Sequence, residues 1–314
     1  MRKFTKVVLI ITAVFVVTGM GFIIAGSVTA GGLGVLRQQL KSGDLNFGNW
    51  HFEDGIYYKG GIEVDVTDTV TGAMNLLPVG TEKDRCEFAE SISTIEIDTD
   101  LANITVKVTD TDYIKVNLED GYKKYFEAKV EGNTLYVSYD VNGKSFKQGP
   151  KITVELPHEM VPDRIDIDTE LGEVNLFRIG QPITELEIRS SLGNIRMDDC
   201  KVKEHCVLDA SLGNIIIEDS VFGKIDLNAA MGNIEFSGEV GGNLLAKAAM
   251  GNIDVEVDGR EEDYNIELST DMGDVKYKGQ HHEEMGKSYK YHTEDPIGSI
   301  ILDCDMGNVE LEFE

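Results

Sequence analysis

From residue 95 onward, apolar and polar residues alternate in short runs, and the alternation recurs as a fifteen-residue unit. Its copies begin at Ile95, Ile165, Leu186, Cys206, Ile225, Leu244, Ile266 and Ile300. Positions 1 and 3 are almost all apolar, position 5 is small or hydroxylated, and position 7 is Leu or Met throughout. Such period-two spacing predicts a β-strand with positions 1, 3, 5 and 7 on one buried face. After position 8 the parity reverses. Positions 10 and 12 become apolar, as in Ile195 with Met197 and Ile234 with Phe236. A strand changes its buried face only through a bulge or corner, and position 8 holds the residue suited to one: Gly172, Gly193, Gly213, Gly232, Gly251, Gly273 and Gly307. Ala102 takes that place in the first copy.

Successive glycines lie 21, 20, 19, 19, 22 and 34 residues apart. A period near 20 in a strand–bend–strand unit predicts an all-β fold, a single-chain parallel β-helix or β-solenoid with coils of about 20 residues. The leucine-rich repeat shares the period but not the pattern. Position 9 is Asn in most copies, including Asn194, Asn214, Asn233, Asn252 and Asn308. A structural Asn ladder, each amide bonding its neighbour in the next coil, is expected there rather than a row of ligand oxygens.

Two segments interrupt the repeat. Residues 110–164 hold short alternating runs around a Glu131-Gly132-Asn133 turn and are expected to cap the first coil, whose strand edges would otherwise be open. The long last interval adds residues 279–298, read as a loop insertion. Its His281, His282, Tyr289, Tyr291 and His292 make it the candidate partner-binding loop.

Charge adds location. The formal net charge is -27, yet Arg2, Lys3, Lys6, Arg37 and Lys41 are the only charged residues up to position 41. Between them Val7–Ile24 is uncharged, long enough as a helix to span about 27 Å. Val28-Thr29-Ala30 resembles a signal-peptide cleavage site, but the run is longer than a signal peptide's apolar region, which predicts an uncleaved single-pass anchor, and the cations before it predict a cytoplasmic N-terminus and an exported bulk. The expected organisation is a cytoplasmic tail (1–6), a membrane anchor (7–30), a Gly-punctuated juxtamembrane stalk (31–85) and the solenoid (86–314). The lipid bilayer is a partner through the anchor. The acidity excludes direct binding of nucleic acid, whose phosphates it would repel.

Catalytic chemistry is not legible. No G-x-S-x-G, H-E-x-x-H or P-loop sequence occurs. No catalytic, cofactor or metal residue is assigned, and no cofactor is expected. The outward acids Glu96, Asp98, Asp100, Asp166, Asp168 and Glu170 could offer hard oxygen ligands to calcium, but serve more simply as a solubilising face. Of the four cysteines, Cys206 and Cys304 fall in inward columns. Cys200 and Cys206 flank an expected connecting loop, where an exported chain could join them, and Cys86 stands apart.

The S-L-G-N-I and A-M-G-N-I units at Ser191–Ile195, Ser211–Ile215, Ala230–Ile234 and Ala249–Ile253 resemble the bacterial family DUF4097, a candidate adhesin domain, over roughly residues 88–314. The resemblance implies a β-strand repeat on the cell envelope, often behind an N-terminal membrane segment, and carries no catalytic residues. The expected function is a non-enzymatic, membrane-anchored, extracytoplasmic binding or adhesin-like module with a protein or glycan partner. A regulatory subunit of an envelope-stress or membrane-protein complex is the alternative, since related envelope proteins accompany stress-response systems. A polysaccharide-active β-helix enzyme is a third.

Overall fold

A computed structural model describes residues 50–52, 56–58, 62–64, 82–88, 91–141, 149–278 and 283–313. The expected tail and anchor, most of the stalk, and His281 and His282 lie outside the described residues. Among those described, no helix is long and apolar enough to cross a membrane. The chain divides into two units, Met1–Leu76 and Leu77–Glu314. In the first, β1 (Trp50–Phe52), β2 (Ile56–Tyr58) and β3 (Ile62–Val64) form an antiparallel meander.

The second unit is all-β. Its strands are β4 (Glu82–Phe88), β5 (Thr94–Thr99), β6 (Asn103–Thr109), β7 (Ile114–Gly121), β8 (Phe126–Glu131), β9 (Thr134–Tyr139), β10 (Lys151–Pro157), β11 (Arg164–Leu171), β12 (Val174–Leu192), β13 (Ile195–Leu212), β14 (Ile215–Phe222), β15 (Ile225–Met231), β16 (Ile234–Val240), β17 (Leu244–Met250), β18 (Ile253–Val257), β19 (Tyr264–Met272), β20 (Val275–Lys278), β21 (Glu283–Gly286), β22 (Ser288–Tyr291), β23 (Gly298–Met306) and β24 (Val309–Phe313). β4 already belongs to this unit, so it begins before residue 86.

The strands stack as rungs, each a first strand, a bend and a second strand, in parallel and in register with the next. In space the rungs follow the order β9/β10, β5/β6, β11 with the start of β12, the end of β12 with the start of β13, the end of β13 with β14, β15/β16, β17/β18, β23/β24 and β19/β20. Two features of this order depart from the sequence. The rung β9/β10 precedes β5/β6, placing part of the 110–164 segment at one end. The last rung of the chain, β23/β24, slots between β17/β18 and β19/β20.

Inward columns make the core. Ile95, Ile165, Ile188, Leu208, Leu227, Ile104, Val174, Ile195 and Ile234 are fully buried. Burying each such side chain contributes about 1.5–3 kcal/mol, which is what a two-layer stack without helices relies on. A second inversion of parity, which the residue types do not announce, falls at position 14. There Arg178, Asp199 and Asp219 take φ of 57°, 52° and 48°. It returns the next residue, Ile179, Cys200 or Ser220, to the interior.

Both ends are closed. β8 and β7 run antiparallel to β9 and β10, with β4 outside β7. At the other end β22 and β21 run antiparallel to β19 and β20. Lys129 between Glu127 and Glu131 on β8, and Lys290 on β22, put charge on these outermost strands, which discourages edge-to-edge pairing.

Candidate functional site

The bend after the first strand organises the outer surface. At Gly193 φ is +151°, and a Cβ there would meet the Gly172 carbonyl oxygen at 1.9 Å. The same overlap, 2.0 Å or less, repeats up the column from Gly172 to Gly307 and Gly273. Only a residue without a side chain lets the rungs approach this closely. Each bend is then tied to the next. The Gly193 N–H donates to the Leu212 carbonyl at 3.0 Å and the Gly213 N–H to Met231 at 3.0 Å. Beside them the Asn column forms a ladder, although not amide to amide as expected. Each side-chain oxygen accepts the next rung's backbone N–H. Asn194 takes that of Asn214 (2.9 Å), Asn214 that of Asn233 (2.8 Å), Asn233 that of Asn252 (2.9 Å), Asn252 that of Asn308 (2.9 Å) and Asn308 that of Asp274 (3.0 Å). The bend's backbone donors are thereby satisfied without a continuous sheet.

Position 7 corrects the period-two expectation. It is not core. The strand turns outward after position 5, so positions 6 and 7 both face solvent. Leu171, Leu192, Leu212, Met231, Met306 and Met272 are 36–62% exposed, and Met250 is half-buried. They lie in register, Leu171 beside Leu192, then Leu212, Met231, Met250, Met306 and Met272. At a strand spacing of about 4.8 Å the stripe is about 29 Å long. Along its middle four rungs the flanking position-6 residues are Ser191, Ser211, Ala230 and Ala249, all exposed and uncharged.

The 279–298 segment is not a free loop. Its described part begins as an antiparallel rung, β21 along β20 and β22 along β19, that closes the last rung, and continues as the connection 292–297 to β23. Tyr289 lies opposite Leu268 and Tyr291 opposite Ile266, and both rings pack on the core. Tyr289 stacks on Tyr277, ring centroids 4.2 Å apart, and the Tyr277 hydroxyl donates to the buried Glu261 carboxylate at 2.7 Å. Burial, reinforced by that bond to Glu261, pushes the Tyr277 phenol well above its ordinary range. These tyrosines are capping side chains. Of the expected contact residues that the structure describes, Tyr289 and Tyr291 are half-buried and His292 is exposed.

The acidic face of the early rungs is partly bound within the fold. Arg164 pairs with Asp166, Glu185 and Glu187, and Asp100 accepts the Val141 N–H at 2.8 Å. Asp98 lies beside Asp168 in register. Burial first, then Asp168, Asp100 and Asp140, raise its carboxyl above the ordinary value. Among the described residues no group of three or more His, Cys, Asp or Glu is placed to hold a metal ion.

All four cysteines are free. Cys200 and Cys206 do not flank a loop but sit on the one continuous strand β13, both with inward, buried side chains. Burial pushes the Cys200 thiol up to about 11 and that of Cys206 well above its usual range.

Comparison with known proteins bears on this architecture. Curated proteins give no significant match. Among solved structures, a candidate adhesin from Bacteroides fragilis NCTC 9343 is 16% identical, with a TM-score of 0.48, over 75% of this chain and 99% of that one. A candidate lipid-binding protein from Parabacteroides distasonis ATCC 8503 is 17% identical, with a TM-score of 0.41, over 75% and 98%. A candidate cell-adhesion protein from Clostridium sporogenes ATCC 15579 is 11% identical, with a TM-score of 0.34, over 74% and 99%. The family model described as Toastrack DUF4097 matches residues 92–276, more than half of the sequence, and the chain belongs to that family.

Proposed function

We propose that this protein is a non-enzymatic binding module of the cell envelope, held to the membrane by Val7–Ile24 with its solenoid outside the cytoplasm. The observation that carries the binding role is the Leu/Met stripe. Seven large apolar side chains lie in register on one edge, where solvation gives no reason to keep them. Backbone hydrogen bonds from rung to rung fix the chain that carries them, so an occupant meets a column of set spacing. The cationic flanks of Val7–Ile24 and the acid-rich remainder support the anchored, exported arrangement.

The test is photo-crosslinking in cells from residues placed beside the stripe at Ser211 and on the opposite face, with protease added to intact cells to report topology. Capture of an envelope protein or glycan, together with proteolysis of the solenoid from outside, is the expected result. A neighbouring membrane protein as the captured species, with an altered envelope-stress response on deletion, would make the module a regulatory subunit. No partner from any position, or glycan turnover abolished by substituting one acid, would overturn the reading.

A further inference from the structure

The two ends of the stripe differ from its middle. At the Leu171 end stand Glu170 and Glu173, and at the other end Asp305 beside Met306 and Asp271 beside Met272. All four acids are exposed, and none has a cationic partner among the described residues. Asp274, by contrast, is held by Lys287 at 3.0 Å. In the four rungs between, Leu192 to Met250, positions 6, 8 and 9 hold only Ser, Ala, Gly and Asn, and charge returns at position 4 with Arg189, Asp209 and Lys247. The surface is thus an apolar strip about 29 Å long with unneutralised carboxylates at both ends.

From this layout, and resting on the binding role above, we infer that the stripe docks a polypeptide segment of a partner protein with an apolar middle and basic residues at both ends. As a helix, such a segment would be roughly 19 residues long. Other occupants fit less well. A second copy of this chain, laid along the stripe in either direction, sets acid against acid at both ends, because both ends are acidic. A bilayer would meet a column one side chain wide, and anionic headgroups would be repelled by the flanking carboxylates. A cationic segment gains from the same carboxylates, and its apolar residues cover side chains carried on a backbone already tied from rung to rung.

The experiment uses the full chain in zwitterionic nanodiscs, with empty nanodiscs as the control. The probe is a labelled 19-residue peptide with a Leu/Ala face and Lys at both ends, alongside a twin carrying Glu at its ends. Tighter binding of the basic peptide, by about tenfold or more at low salt, is expected. Leu212→Ser with Met231→Ser should weaken that binding by about tenfold. Glu170→Gln with Glu173→Gln should reduce its salt dependence. All four positions are exposed, so unchanged melting of the variants confirms that the fold is intact. Equal binding of the two peptides, indifference to the stripe substitutions, attachment only to the nanodisc lipid, or self-association through the stripe overturns the inference. Should cells carrying the stripe variants still yield the same crosslinked partner, the docking site is wrong while the binding module stands. The absence of any captured partner removes both.

Discussion

The side-chain oxygen of Asn252 accepts the backbone N–H of Asn308 at 2.9 Å across 56 residues of chain. Asn308 in turn accepts from Asp274, which precedes it in sequence. This pair of bonds marks where the polypeptide leaves its own order. After β18 the chain skips one rung, builds β19 and β20, folds back along them as β21 and β22, and fills the gap with its final rung. Deleting 298–313 therefore removes an interior rung and exposes parallel edges on both β17/β18 and β19/β20. Truncation should abolish cooperative melting of the C-terminal rungs and open residues 264–291 to protease. A truncated protein that melts like the full chain would mean that the last rung is peripheral.

The glycine column makes a sharper demand. Gly213→Ala places a Cβ about where the Gly193 carbonyl oxygen lies, 2.0 Å away, at φ +155°. Neither backbone can move without breaking the register on both sides. Urea denaturation should show a loss of about 3–5 kcal/mol or failure to fold. Gly180→Ala, whose Cβ would meet nothing within 4 Å, should cost no more than about 0.5 kcal/mol. Similar losses in the two variants would refute the close-approach explanation.

Position 7 separates core from surface. Leu227→Ala deletes a fully buried side chain and should cost about 2–5 kcal/mol. Met231→Ser, four residues on, removes one that is 44% exposed and should change stability by less than about 0.5 kcal/mol. Comparable losses at the two sites would return the stripe to the core.

These positions also show how far residue patterns reach. Alternation at positions 1, 3 and 5, the inversion at Gly and the 20-residue interval are local properties, and each reappears as strand, bend and rung. The alternation overreaches at position 7 because hydrophobicity reports what could be buried, while the turn toward the bend decides what is. The bulge at position 14 carries no punctuation, since Arg178, Asp199 and Asp219 adopt left-handed backbone that their side chains do not advertise. Rung order at the C-terminal end is illegible for a different reason. The copies at Ile266 and Ile300 share their columns, Leu268 with Leu302 and Met272 with Met306, so either could neighbour Leu244. The Tyr/His segment reads as a loop by length, and only its pairing with β19 reveals Tyr289 and Tyr291 as a lid on the core.

The acid pair at the early rungs predicts a pH dependence with a definite sign. Asp98 has a folded-state pKa above its ordinary 3.8, through burial first and then Asp168, Asp100 and Asp140. Between the unfolded and folded values the native state holds more proton, so this group's contribution falls as pH rises through that window. Asp98→Asn removes the charge that the fold disfavours. The variant should melt higher than the parent at pH 7, and the gain should shrink on acidification and vanish by about pH 2.8, a unit below the unfolded value, where the carboxyl is protonated in both states. A gain that persists at low pH would have to come from something other than this charge.

The thiols give the last prediction. Cys200, Cys206 and Cys304 are buried, and burial raises all three above the ordinary thiol value, while Cys86 on β4 is only half-buried. Thiolate is the reactive species, and burial raises the Cys86 thiol as well, so access is what separates Cys86 from the three inward cysteines. Timed alkylation of the native protein at pH 8, read by mass spectrometry, should label Cys86 first and the other three only as the rungs open. Cys200 and Cys206 should react together, because they share β13 and leave the interior in one opening event. Early labelling of Cys200, or its recovery in a bond to Cys206 from oxidised cells, would show that β13 does not hold both side chains inward, and the position-14 bulge would then need another explanation.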